Sequence, residues 1–300
     1  NAAEVLINGL RDYEAGLAMV DDALDFAEGD DEVADALLLK FDALMQAEVL
    51  NVVAKQKAAG VDVVSDGEMS KISYATYIRH RLTGFEIGEM PRATPKDLDD
   101  FPDFKERLAK LGATPKYHRP ICTGPIAVKD LSGLHKDIDN LKAACRASGV
   151  ERGFMNSASP GVIAVFQPNQ FYANHEKYLG ALADAMATEY EAIVASGLDL
   201  QIDAPDLAMG RHIRFRDASD AEFMTAAEQQ VEALNHALRN VPAERVRMHI
   251  CWGNYEGPHH HDIELKRIIG LVCKAKPATK RAAKSAAKSA AKPAAKKAAA

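Results

Sequence analysis

The sequence predicts an α/β fold, a parallel sheet with helices packed outside it. Three observations carry this reading. The order helix, glycine, strand, polar residue occurs twice, at residues 33–68 and 175–203. The helical segments each hold one apolar stripe, the mark of a helix that buries one face. The strand candidates are short, β-branched and closed by polar residues, and strands that alternate with helices build parallel sheets. Five candidates stand at 61–66, 120–124, 154–157, 198–202 and 245–250. That number suits an open doubly wound sheet and falls short of the eight of a closed barrel. No GxGxxG or Walker loop occurs, so the dinucleotide-binding version of the open sheet has little support.

Residues 1–28 are helical in pattern and poorly punctuated. Asp30 and Asp31 then precede a run in which Val33, Leu37, Phe41, Leu44, Met45, Val49 and Val52 share one face, and Gly60 stops it. The strand at 61–66 ends in the turn Gly67-Glu68. Residues 88–118 are rich in Pro and charge and read as a surface excursion. Pro125 and Pro160 mark the ends of the next two strands. Asn174 caps a helix with the stripe Leu179, Leu182, Met186, Tyr190, Ile193 and Val194, which Gly197 closes. Ser219 and Glu222 have the spacing of a capping box, ahead of Phe223, Ala227, Val231, Leu234 and Leu238. Asp262 is placed to cap a last helix carrying Ile263, Ile268, Ile269 and Val272.

The 300 residues carry a formal net charge of −6, which hides two unlike segments. Residues 274–300 hold nine Lys/Arg and no Asp/Glu, leaving 28 basic against 43 acidic residues over 1–273. The expected organisation is therefore an acidic domain over 1–273 and a Lys/Ala-rich, disordered tail over 274–300. The acidic body gives no reason to expect nucleic-acid binding, and the basic tail is the one segment that could bind a polyanion weakly. No run approaches the roughly 18 apolar residues of a membrane span. No secretory signal is visible, although a start at Asn1 rather than Met leaves room for an upstream piece. Four cysteines, Cys122, Cys145, Cys251 and Cys273, without a CxxC suit a reducing compartment, so a cytoplasmic location is expected.

The polar residues at strand ends are the candidates for chemistry, because α/β folds bind ligands there. They are Asp66, Glu68, Thr123, Ser157, Asp203, His249 and Cys251. His249 and Cys251 are two apart on a strand, so both side chains point to one side. Imidazole and thiolate are both good zinc ligands, while a buried cysteine beside a hydrogen-bonded histidine is the plainer alternative. Asp203, before Ala204-Pro205, suits capture of a ligand ammonium group or an Asx turn. Glu68, in Asp66-Gly67-Glu68, has similar geometry, and a turn with a solvated carboxylate is its alternative. The run His259-His260-His261 splays in three directions and reads as a loop rather than a chelate. Asp206, Arg211 and His212 lie on the loop side of Asp203 without a signature of their own.

Five segments, in order, resemble the cobalamin-independent methionine synthase family, specifically its short single-barrel members. They are Val61–Ser70 (VDVVSDGEMS), Thr123–Asp130 (TGPIAVKD), Ser159–Val162 (SPGV), Leu200–Met209 (LQIDAPDLAM) and Met248–Asp262 (MHICWGNYEGPHHHD). The resemblance implies a (β/α)8 barrel, here lacking the first and last strands. It implies zinc-dependent methyl transfer from 5-methyltetrahydrofolate to the thiol of homocysteine, giving methionine. His249 and Cys251 match two zinc ligands, and Glu68 and Asp203 match carboxylates that hold the amino-acid part of homocysteine. The Gly-Ser turn of the family's first strand has no counterpart in residues 1–32. Just past Pro277, where the family has a glutamate ligand, this chain has Ala-Thr-Lys-Arg-Ala-Ala, and the family's last two strands are unmatched. These departures lead to the expectation that the tail replaces barrel sequence, which leaves open whether the chain is active as written. Two other functions fit the same residues: a zinc alkyltransferase acting on another thiol such as coenzyme M, and a non-catalytic scaffold with a polyanion-binding tail.

Overall fold

The computed structural model describes residues 31–88, 94–110, 119–254 and 257–276. The helical pattern expected over 1–28 and the tail beyond 276 lie outside the described residues. In chain order the elements are α1 (Asp31–Ala58), β1 (Val63–Val64), β2 (Phe85–Gly88), α2 (Pro102–Lys110), β3 (Arg119–Cys122), α3 (Ser132–Ser148), β4 (Arg152–Ala158), α4 (Pro160–Phe166), α5 (His175–Ala195), β5 (Asp199–Asp203), α6 (Asp220–Ala237), β6 (Val246–His249) and α7 (Leu265–Val272). They form two compact units, residues 1–77 with 132–155 and residues 78–131 with 156–300.

In the first unit α1 packs on α3. Met45, Val49 and Val53, spaced by four, are the buried row of α1. Leu134, Ile138, Leu141 and Cys145 face them from α3, the i, i+3, i+4 pattern of a one-sided helix. Gly60 ends the α1 segment at φ +81°, a left-handed backbone that costs a residue without Cβ nothing. Beyond it β1 runs parallel to the start of β4, Val63 opposite Arg152 and Val64 opposite Gly153.

In the second unit the end of β4, β5 and β6 lie side by side. β5 and β6 are parallel, with Asp203 opposite His249. α5 and α6 pack together, and α4 packs on both. The predicted stripes are the core: Leu179, Leu182, Met186, Tyr190 and Ile193 of α5, and Phe223, Ala227, Val231, Leu234 and Leu238 beside them, are all buried. The caps expected at Asn174 and Ser219 both form. Asn174 accepts from the Lys177 amide, and Ser219 and Glu222 make both bonds of the capping box. Replacing Ser219 by alanine removes an acceptor from an otherwise orphaned helical N–H. The expected loss is about 1 kcal/mol, read as a lower urea midpoint.

Three expectations need correction. The strand at 120–124 does not join a parallel sheet. It is β3, paired antiparallel with β2, which the sequence reading missed. The approach to that hairpin is tight. A Cβ on Gly84 (φ +84°) would stand 2.6 Å from the Gly124 carbonyl oxygen, so only glycine fits. The stretch 88–118 is not merely a surface excursion, because Asp97 and Leu98 within it are buried. Asp262 does not cap α7. Glu264 is the cap residue, without a side-chain bond, and Asp262 turns to His212 and His259 instead. Of the four α7-segment apolar residues named from sequence, Ile263, Ile268 and Val272 are buried and Ile269 is exposed. The α/β class with parallel strand pairs stands. Among the described residues the strands in parallel pairs are β1, β4, β5 and β6, so an eight-stranded closure is not displayed. No helix among the described residues is long and apolar enough to cross a membrane.

Candidate functional site

Parallel register places Asp203 and His249 side by side at the C-terminal ends of β5 and β6. The ladder continues past them, for the Ala204 amide donates to the His249 carbonyl (2.9 Å) and the Met209 amide to that of Cys251 (3.2 Å). The two side chains meet, His249 Nδ1 standing 3.2 Å from Asp203 Oδ1. Asp203 is buried and His249 half exposed. The carboxylate also accepts from Gln201 Nε2 (2.9 Å) and Asn156 Nδ2 (3.1 Å). The His249 tautomer with its proton on Nδ1 can donate to Asp203 and leaves the Nε2 lone pair for a ligand.

Cys251 follows two residues on and is half-buried. Burial is the main influence on its thiol and pushes the pKa up. The nearby Asp203 charge acts in the same direction, against a bond from the Gly253 backbone. Glu68 lies in the other unit, in the turn after β1. Its φ of 57° follows Gly67 at +67°, two left-handed residues in succession. A non-glycine residue there costs roughly 1 kcal/mol. The turn is held by Asp66, whose Oδ1 accepts from the Glu68 amide at 3.0 Å.

Three methionine synthases are similar to the chain: from Saccharolobus solfataricus at 27% identity over 213 residues, from Saccharolobus islandicus at 26% over 223, and from Sulfolobus acidocaldarius at 23% over 219. The matches cover 70–73% of this chain and 53–56% of those proteins. The chain thus spans about half the length of the curated relatives it matches. A solved structure described as a B12-independent methionine synthase from Shewanella sp. W3-18-1 in complex with selenomethionine has the same fold over 71% of this chain and 53% of its own, with TM-score 0.51 and 17% identity. No family model matches. The chain is similar to cobalamin-independent methionine synthases.

Other candidates within this methionine synthase-like chain serve its framework. Ser157 is buried. It donates to Glu189 Oε1 of α5 at 2.6 Å, and Glu189 also pairs with Arg81 at 2.9 Å. Asp206 is buried under α4, accepts from Ser159 Oγ at 2.8 Å, and is pushed up to about 7 by that burial. A Cβ on Gly161 would overlap its Oδ2, which explains the glycine in the SPGV segment.

Of the three consecutive histidines, His259 turns one way while His260 and His261 converge on a single carboxylate oxygen. His259 Nδ1 meets Asp262 Oδ2 at 3.0 Å, while the Nε2 atoms of His260 and His261 both lie 2.7 Å from Asp100 Oδ2. His212 is fully buried with Nδ1 2.8 Å from Asp262 Oδ1. Among the described residues two groups have metal-ligand spacing: exposed Asp100 and His260 with half-buried His261, and buried Asp97 and His212 with half-buried Asp262. The sequence reading passed over Asn156, Gln201, Asp97 and Asp100. For Asn156 and Gln201 a signal existed, since Asn156 is next to Ser157 and Gln201 stands two residues before Asp203. Asp97 and Asp100 stand far from their histidine partners along the chain, and nothing local marks them.

Proposed function

We propose that this chain takes part in methyl transfer to a thiol in methionine synthesis, with His249 and Cys251 as zinc ligands. The observation that carries the reading is the Asp203–His249 contact at 3.2 Å, two residues before Cys251. Metal-bound histidines characteristically give their other ring nitrogen to a carboxylate, which fixes tautomer and ring orientation. The donor set fits zinc as two of its ligands. When bound, zinc supplies a lowered pKa for a coordinated thiol, so that a substrate thiol is a thiolate at neutral pH.

The protein's own residues would do the rest. Asp203 holds the imidazole, and Asn156 and Gln201 hold Asp203. In this reading Asp203 and Glu68 hold the amino-acid part of a homocysteine-like substrate and a methylfolate is the donor, a reading that the resemblance of their segments supports. The strained backbone at Glu68 supports a functional demand on that turn.

Metal content tests the reading. Wild type should hold one more equivalent of zinc than Cys251→Ser, and cobalt-substituted wild type should show a sulfur-to-metal charge-transfer band that the variant lacks. Equal zinc in both proteins, with no such band, would sink it.

A further inference from the structure

We propose that Asp97, His212 and Asp262 bind a divalent transition-metal cation at a second centre, independent of the sulfur-bearing pair His249 and Cys251. One donor atom from each of the three lies within 4.8 Å of the others. Donors held about 2.0–2.2 Å from one ion stand roughly 3–4.4 Å apart, so small side-chain shifts close the three on a cation.

The second observation is an orphaned oxygen. Asp97 is fully buried, and its Oδ2 has no hydrogen-bond partner. A buried carboxylate oxygen left this way costs free energy unless a cation meets it. Among the described residues no Lys or Arg pairs with Asp97 or Asp262.

The surrounding contacts orient the ligands as an outer shell would. The His261 amide donates to Asp97 Oδ1 at 2.7 Å, and His260 Nδ1 lies 3.2 Å from the same oxygen. His259 Nδ1 holds Asp262 Oδ2 at 3.0 Å. The outer oxygen of each carboxylate is thus occupied, which leaves Asp97 Oδ2 and Asp262 Oδ1 to meet His212. One imidazole nitrogen and two carboxylate oxygens suit Zn²⁺, Mn²⁺, Fe²⁺ or Co²⁺ better than Ca²⁺ or Mg²⁺, which prefer all-oxygen sites, or Cu⁺, which prefers sulfur. The cation would tie together three segments distant in sequence: the helical turn Lys96–Asp100, the loop after β5, and the approach to α7.

The test is a Co²⁺ titration of the full chain carrying Cys251→Ser, which removes the sulfur ligand of the first centre. The expected result is one equivalent of bound cobalt with d–d absorption, no sulfur charge-transfer band, and a raised thermal unfolding midpoint. Asp262→Asn, at a half-buried position, should weaken that binding roughly 100-fold, while Asp100→Ala should leave it unchanged. If the Cys251→Ser chain takes up no cobalt, the proposal is overturned whether or not any further variant folds. Loss of binding in Asp100→Ala with retention in Asp262→Asn also overturns it, because the ion would then belong to the exposed group.

Discussion

Replacing Arg81 by methionine is expected to destabilise the second unit by about 3–5 kcal/mol. Arg81 and Glu189 form an ion pair at 2.9 Å with side chains only 8% and 3% exposed. The other Glu189 oxygen is held by Ser157 at 2.6 Å. Removing the guanidinium takes the opposite charge away from a carboxylate that is almost fully buried. The backbone adds a second role, since the Arg81 carbonyl accepts from the Lys129 and Asp130 amides and keeps the segment after β3 in place. The double variant Arg81→Met with Glu189→Leu should recover most of the loss, because the strain comes from the unpaired charge rather than from missing volume. Urea unfolding of the two variants beside wild type decides the matter. A single variant within about 1 kcal/mol of wild type would mean that water or another cation reaches Glu189.

The second large effect is a pH dependence centred on Asp206. Burial raises its native pKa to about 7, against about 3.9 in an unfolded chain. The raised value means that the native state keeps a proton which the unfolded state has lost. The resulting stabilisation is present in full below pH 4 and disappears as pH rises through about 7. The whole swing is roughly 4 kcal/mol. Asp206→Asn retains a neutral acceptor for Ser159 and cannot ionise. The variant should therefore gain on wild type steadily between pH 5 and 8 and be the more stable of the two at pH 8. Denaturant midpoints of both proteins across that range provide the check, and parallel curves would show that Asp206 titrates alike in the folded and unfolded chains.

The elements that could be read from the sequence are those fixed by neighbours along the chain. The α5 and α6 stripes follow from the 3.6-residue period. The caps at Asn174 and Ser219 bond to amides three residues on, so the spacing alone specifies them. The strand-end placement of Asp203 and His249 followed from the same local reasoning. The buried faces of α5 and α6 consist of residues whose periodicity marks them, whereas the first unit also buries Val53 and the α3 row Leu134, Ile138, Leu141 and Cys145, which the sequence expectations do not include.

What escaped the sequence depends on partners brought from far away. Nothing near residues 120–124 says that β2, more than thirty residues upstream, will pair with it antiparallel. Asp262 has the local chemistry of a helix cap, yet a buried imidazole at His212 competes for it and wins, because a buried polar ring without a partner costs more than an uncapped exposed helix end. Ser157 looked like a ligand-facing residue until α5 packed Glu189 against it. The sequence by itself determined the α/β class, the helices α1, α5, α6 and α7, the caps at Asn174 and Ser219, and the strand that ends in His249 with Cys251 after it. The tertiary structure alone decided which carboxylate holds His249, which charges are buried in pairs, and that Asp97 meets His212 and Asp262. The physical reason is that periodicity and capping are short-range, whereas the cost of burying a charge is set by whatever the fold places beside it.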